Sequence, residues 1–295
     1  DLFSYRVKLA VPYGQRALVA GKRTAETLPT SAGETYRASF EFTQPSDGID
    51  LMAGPWVGRE KTVSRNAQSP PQSPLGLRTF FPADLDATPG LAQAYLDDTQ
   101  AYIERYSKDI GAYPYSEFSI VASPLPTGFG MPTLTYLGAE VLRLPFIRKT
   151  SLGQEILHNW WGNGVYVDFA GGNWCEGLTA YLADHLVAEQ RGQGAEHRRA
   201  ILQRVTDYVT PENDFPLTRF VGRYNPVTEA IGYGKTAMLW NMLREQVGDE
   251  TFIAALRAFY REHRFRAAGF DDIRASFEAA SGRDLKPFFA QWVER

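Results

Sequence analysis

The chain is poor in the groups that usually build tight sites. Cys175 is its only cysteine, so an intrachain disulfide and a cysteine-based zinc cage are both excluded. Histidine is nearly as scarce. His158, His185, His197 and His263 are the whole supply, so any metal site must be assembled from few imidazoles. Charge of one sign is lacking too: the formal net charge of −3 gives no reason to expect nucleic acid or an anionic membrane as partner. No apolar run approaches the roughly 18 residues needed to span a bilayer. Asp1-Leu2-Phe3-Ser4 lacks the basic and apolar regions of a signal peptide, and there is no initiator Met. That is the pattern of a processed or trimmed piece, and it is compatible with an extracytoplasmic protein whose signal peptide has been removed.

What is present is ordinary globular material, 44% hydrophobic and 22% charged. A length of 295 residues predicts one large domain plus a smaller piece. Tyr5-Arg6-Val7-Lys8-Leu9-Ala10-Val11 and Tyr36-Arg37-Ala38-Ser39-Phe40-Glu41-Phe42 alternate like strands. Ser69-Pro70-Pro71-Gln72-Ser73-Pro74 reads as a linker or surface loop, since it fits neither a helix interior nor a central strand. The spacing then predicts a helix over 89–108 and strands over 118–122 and 133–137, with Gly128-Phe129-Gly130 between the strands. Helices follow at about 151–162, 176–190, 195–208, 233–247, 249–263 and 271–281. Gly248-Asp249-Glu250 marks a helix stop and a new start. Strands first and helices later predict an α+β fold.

Gln154 and His158 lie four apart on a predicted helix and so share a face, with Glu155 between them. This is the geometry of H-E-x-x-H, in which two imidazoles hold zinc and the Glu takes a proton from the attacking water. A third ligand must come from a second helix, and Glu176 opens one. By itself the Q-E-x-x-H pattern also describes a solvated helix face with a structural His.

The neighbouring residues make the pattern specific. Gln154-Glu155-Ile156-Leu157-His158-Asn159-Trp160-Trp161-Gly162-Asn163 resembles the H-E-x-x-H-x-W-[FW]-G-N helix of the aminopeptidase N family of zinc peptidases, which also contains leukotriene hydrolases. Asp168 matches the Asp that follows there. Asn173-Trp174-Cys175-Glu176-Gly177 resembles the W-x-N-E-G segment, and Tyr233-Gly234-Lys235-Thr236-Ala237 resembles the Y-x-K-G-A segment. The tail from Phe270 to Trp292 is similar to a late segment of the family. The resemblance covers roughly residues 75–295. It implies a thermolysin-like catalytic domain over 67–295, preceded at 1–66 by the end of a β-sandwich-like domain. It further implies one Zn2+ ion on His158 and Glu176, with Glu155 as general base and acid and Tyr233 as oxyanion donor. The implied partner is a peptide or protein substrate.

Two departures stand out. Gln154 occupies the first ligand position with a neutral amide, a poorer zinc donor than imidazole. The implied zinc affinity is therefore weakened, and a pseudo-peptidase that keeps the fold is the alternative. The second is Gly128-Phe129-Gly130-Met131-Pro132-Thr133, which resembles the G-x-M-E-N exopeptidase strand without its Glu and Asn. The family's Glu binds the substrate's α-amine; Glu140 and Glu229 are acidic residues that stand elsewhere in this chain. Gly128, Phe129, Gly130 and Met131 are the expected substrate strand.

The remaining candidates have bland readings beside the functional ones. Trp160 and Trp161 are expected to pack, and Cys175 likewise. Asn163 and Asp168 are either orienting groups for His158 or turn formers. Arg223 and Tyr224 either line the cleft or sit in a surface loop. On an ideal helix His185 faces away from Glu176, and His197 and His263 read as surface residues.

Overall fold

The alternating segments of the N-terminal third form strands because each has one apolar face to bury. In the computed structural model, which describes residues 2–65, 73–126 and 128–295, the chain divides into two compact units. One comprises Asp1–Arg105 and Tyr113–Asn159, the other Tyr106–Ala112 and Trp160–Arg295. Residues 69–72 of the expected Pro-rich linker lie outside the described residues.

The first unit carries the larger sheets, and the second has one two-stranded pair, Tyr166–Val167 with Ala267–Ala268. Its early strands are β1 (Phe3–Pro12), β2 (Arg16–Val19), β3 (Lys22–Thr27), β4 (Thr35–Ser46) and β5 (Leu51–Gly54). β4 is flanked by antiparallel β1 and β3, and β2 pairs with β5. A five-stranded mixed sheet follows: β6 (Trp56–Val63), β7 (Leu75–Pro82), β8 (Glu117–Ser123), β9 (Gly128–Met131) and β10 (Leu134–Gly138), in the order β6-β7-β8-β10-β9. β8 is buried along its whole length and parallel to both neighbours, as a central strand with covered faces must be. The parallel β7–β8 pair needs a crossover, and the helix Leu91–Asp109 supplies it. Arg78 on β7 and Glu117 on β8 are buried together, with Nη1 to Oε2 at 2.7 Å, so neither charge is left unpaired.

Gly128-Phe129-Gly130 is not a plain connection: it belongs to β9, antiparallel to β10 at the sheet edge. The turn that allows this pairing is Pro132-Thr133. Thr133 adopts φ 67°, an unfavourable region for a β-branched residue. Three hydrogen bonds of 2.9 Å hold it there: its N–H donates to Asn159 Oδ1, its Oγ1 accepts from Gly21 N–H, and its carbonyl accepts from Ser119 N–H.

The second unit is mainly helical. The helix expected over 151–162 ends earlier, at Leu157 in the first unit, with His158 as its C-cap. Beyond it the chain must bury two adjacent indoles, which successive positions on a helix cannot point the same way. Trp160 and Trp161 are both fully buried. Trp160 Nε1 donates to Gly111 O at 2.8 Å, and Trp161 packs with Trp174, Phe259 and Tyr260. The expected helix 176–190 is observed as Cys175–Ala180, a π-helical turn Tyr181–His185, and Leu186–Gln190. The helix expected from 233 begins with another π-helical stretch, Ala230–Lys235, before Thr236–Val247. Gly194–Tyr208, Asp249–His263 and Phe270–Ser281 match expectation within a residue, and Lys286–Trp292 is an additional helix. Gly248 ends one helix at φ 86° and Asp249 opens the next. No described helix is long and apolar enough to cross a membrane.

Candidate active site

In the first unit the helix Ser151–Leu157 buries Leu152, Gly153, Ile156 and Leu157, which leaves Gln154 and Glu155 half-buried on the other side. His158 N–H donates to Gln154 O at 3.2 Å, so the two positions are one helical turn apart. Strand β9 lies directly over this group. A Cβ on Gly130 would stand 2.8 Å from Glu155 Oε2 and 3.2 Å from His158 Cβ. A Cβ on Gly128 would stand 3.3 Å from Glu155 Oε1 and 2.8 Å from Leu137 Cδ2. Glycine is therefore required for close approach, and no side chain separates the strand from the carboxylate. Phe129, between the glycines, is exposed, and Met131 is half-buried.

Asn159 is a site residue that motif spacing does not reveal. Fully buried, it accepts from Thr133 N–H and donates through Nδ2 to Ile156 O at 2.9 Å. It therefore ties the β9–β10 turn to the last turn of the motif helix. An Asn set between Leu157-His158 and two tryptophans is the signal that marks it.

The second unit brings Glu176 and Tyr233 together. Glu176 is the second residue of Cys175–Ala180, and Tyr233 lies within the π-helical stretch Ala230–Lys235. The two helices approach closely at Gly177, where an added Cβ would collide with the Thr236 side chain and lie 3.0 Å from Gly232 O. Burial first, then the adjacent and hydrogen-bonded Glu176 carboxylate, push the Tyr233 phenol far above its ordinary range, while Arg223 opposes the shift. Tyr233 thus stays a protonated donor at neutral pH. Phe220 packs edge-on to its ring at 6.1 Å, and the Arg223 guanidinium lies 5.6 Å from the ring centroid.

Other candidates resolve plainly. Cys175 is buried, its thiol donating to Trp161 O at 3.0 Å, which is a packing role. Asp168 forms a turn, accepting from Ala170 N–H at 3.1 Å. His185 lies in a π-helical turn, so the ideal-helix phase that set it opposite Glu176 does not hold. It is buried, stacks on Tyr181 at 4.7 Å, and faces Arg198 Nη1 at 2.9 Å through Nε2. Burial pushes its pKa down to about 4. His197 and His263, read as surface residues, are half-buried against the rings of His185 and Phe259.

Residues 150–292 match the Peptidase family M1 domain. That match takes in just under half of the chain and marks residues 150–292 as a stretch similar to the M1 family. Among curated M1 relatives, Aminopeptidase N of Streptomyces lividans is 22% identical over 268 residues, which is 83% of this chain and 30% of that protein. Aminopeptidase 2, mitochondrial, of Saccharomyces cerevisiae is 24% identical over 148 residues, 48% of this chain and 16% of that one. The chain thus spans less than a third of the length of either relative. The crystal structure of the M1 zinc metallopeptidase from Deinococcus radiodurans superposes with a TM-score of 0.80 at 23% identity, covering all of this chain and 64% of that one. This likeness establishes the α+β fold of M1 metallopeptidases for this chain.

The M1 match implies zinc, and the donors can be tested for it. His158 and Glu176 are donors of the right kind, and Gln154 is an amide. Among the described residues no group of three or more His, Cys, Asp and Glu is arranged to hold a metal ion. The donor chemistry fits zinc at two positions and departs from it at the third.

Proposed function

We propose that the chain is a peptidase that hydrolyses peptide bonds with the help of one zinc ion, held by His158 and Glu176 and weakened at the Gln154 position. The observation that carries this reading is the contact of Glu155 with the glycines of β9. β9 is the outer strand of its sheet, so an extended peptide can add to its free edge through main-chain hydrogen bonds. With no side chain between strand and carboxylate, such a peptide lies within reach of Glu155.

In this proposal Glu155 takes the proton from the attacking water and returns it to the departing amine. Tyr233 donates its phenolic hydrogen to the oxygen that gains negative charge. Zinc, when bound, supplies Lewis-acid polarisation of the scissile carbonyl and eases loss of the water's proton. Gly128, Phe129, Gly130 and Met131 carry the substrate backbone. The turn after Met131 offers no carboxylate: Pro132 has none, and the Thr133 hydroxyl is tied to Gly21. A strict demand for a free amino terminus at that turn is therefore not part of the proposal. Residues 1–66 are assigned to the end of a preceding β domain and 67–295 to the catalytic domain.

The incomplete donor set favours one second reading, a pseudo-peptidase that binds peptides without cleaving them. The two readings separate on a broad peptide library incubated with the protein in the presence of zinc. Cleavage abolished by a chelator supports the peptidase. Retention of peptides without cleavage, unchanged by the chelator, supports the second reading and contradicts the first.

A further inference from the structure

The segment between Phe220 and Thr228 holds an arginine beside the Glu176–Tyr233 pair in a way a plain surface loop does not require. One end of the segment is fastened to Asn173, three residues before Glu176: Asn173 N–H donates to Phe220 O at 2.7 Å and its Nδ2 to Val221 O at 2.9 Å. The same side chain caps Cys175 N–H at 3.0 Å, so this anchor and the helix bearing Glu176 are one piece. The other end is closed by a capping box, with Asn225 Oδ1 accepting from Thr228 N–H and Thr228 Oγ1 accepting from Tyr224 and Asn225 N–H. Arg223 sits between the two anchors, with its side chain 58% exposed and its guanidinium 5.6 Å from the Tyr233 ring centroid.

The charge of Arg223 is little used within the protein. Its contact with Glu229 is long, 3.9 Å, and Glu229 already pairs with Arg204 at 2.9 Å. Two guanidinium groups thus share one carboxylate, and the Arg223 contact is the longer of the two. The flanking Val221 and Tyr224 are exposed apolar surfaces, 50% and 77% accessible. An exposed guanidinium with one long, shared ion pair, on a segment fastened at both ends and close in sequence to exposed Val221 and Tyr224, is suited to a carboxylate at the end of, or along, an extended chain.

We propose that Arg223 is a specificity residue that binds a carboxylate of the peptide substrate. This rests on the peptide-processing reading above and adds to it a substrate class: peptides with a negative charge near the bond cleaved. The carboxylate has two sources, the C-terminus of a short peptide or an Asp or Glu side chain.

Equilibrium binding tests this without requiring turnover. The probes are Phe-Ala-Ala as free acid and as C-terminal amide, and the amides Phe-Ala-Glu and Phe-Ala-Gln, titrated into the protein and into Arg223→Gln. The position is exposed, so the variant is expected to fold. The intact protein is expected to favour the charged member of at least one pair by about tenfold, and Arg223→Gln to bind both members alike. The pair that shows the preference identifies the source of the carboxylate. Equal affinities in the intact protein, no binding of any probe, or a preference that survives in Arg223→Gln would overturn the proposal. Cleavage of neutral amides alongside such a result would leave the peptidase reading standing, and a lost preference in Arg223→Gln without any cleavage would do the reverse.

Discussion

The two units meet the same packing demand with glycine, but the neighbours of those glycines differ. Gly130 faces the far end of a flexible carboxylate, Glu155, and beyond it His158. Gly177 faces Thr236 at its root and the backbone of Gly232. A side chain at the first would displace chemistry; a side chain at the second would displace a helix. The units also differ in what they retain. The first holds both departures from the M1 pattern, Gln154 and the turn after Met131. The second keeps Glu176 and Tyr233 in contact. Glu176 and Tyr233 lie in one unit, and Gln154, Glu155 and His158 lie in the other.

That contrast can be broken in several ways. Tyr233→Phe removes a protonated donor and is expected to lower kcat by about 10²–10³-fold with little change in KM. Steady-state kinetics on any cleaved peptide check it, and an equal rise in KM would move Tyr233 from the reaction to binding. Gly130→Ala is expected to shift the Glu155 carboxylate and cost about 10²-fold in kcat, while the thermal midpoint barely moves. Gly177→Ala should behave the opposite way, losing about 1–3 kcal/mol of stability by denaturant unfolding because Thr236 cannot yield without its helix. If both glycine variants lose stability equally, the distinction between the units is wrong.

The smallest effect concerns Asp184, on the same π-helical turn as His185. Burial raises its pKa to about 6 from 3.8. A raised folded pKa means that stability is full below the unfolded value and is lost as pH rises through the folded one. Asp184→Asn is thus expected to stabilise the protein at pH 8 by about 1–2 kcal/mol and to do little at pH 4, as read by thermal unfolding at both values.

Much of the architecture was legible because period-2 alternation and capping glycines are local signals. Strands β1 and β4 and the stop at Gly248 came from them. β9 was legible through motif resemblance and not through periodicity, since glycines in a short segment also read as a turn and the true turn depends on Thr133 being held at φ 67° by partners far away in the chain. The early end of the motif helix was likewise invisible, because tryptophan has fair helix propensity and only tertiary burial of Trp160 and Trp161 ends it. The π-helical turns carry no composition signal, and they moved Tyr233 and His185 out of ideal helical phase. The candidate site was read mainly from motif spacing. Asn159 was not, since its role is set by a hydrogen bond to a residue 26 positions away, and the Arg223 loop was read only as cleft lining or surface.

Zinc affinity of the protein compared with Gln154→His tests the central claim most directly, with titration against a competing chelator as the readout. If the scaffold is an M1 site altered at one ligand, Gln154→His should bind zinc at least about tenfold tighter, with peptide cleavage rising alongside. A Gln154→His protein that folds but neither gains zinc nor cleaves any peptide would contradict the account.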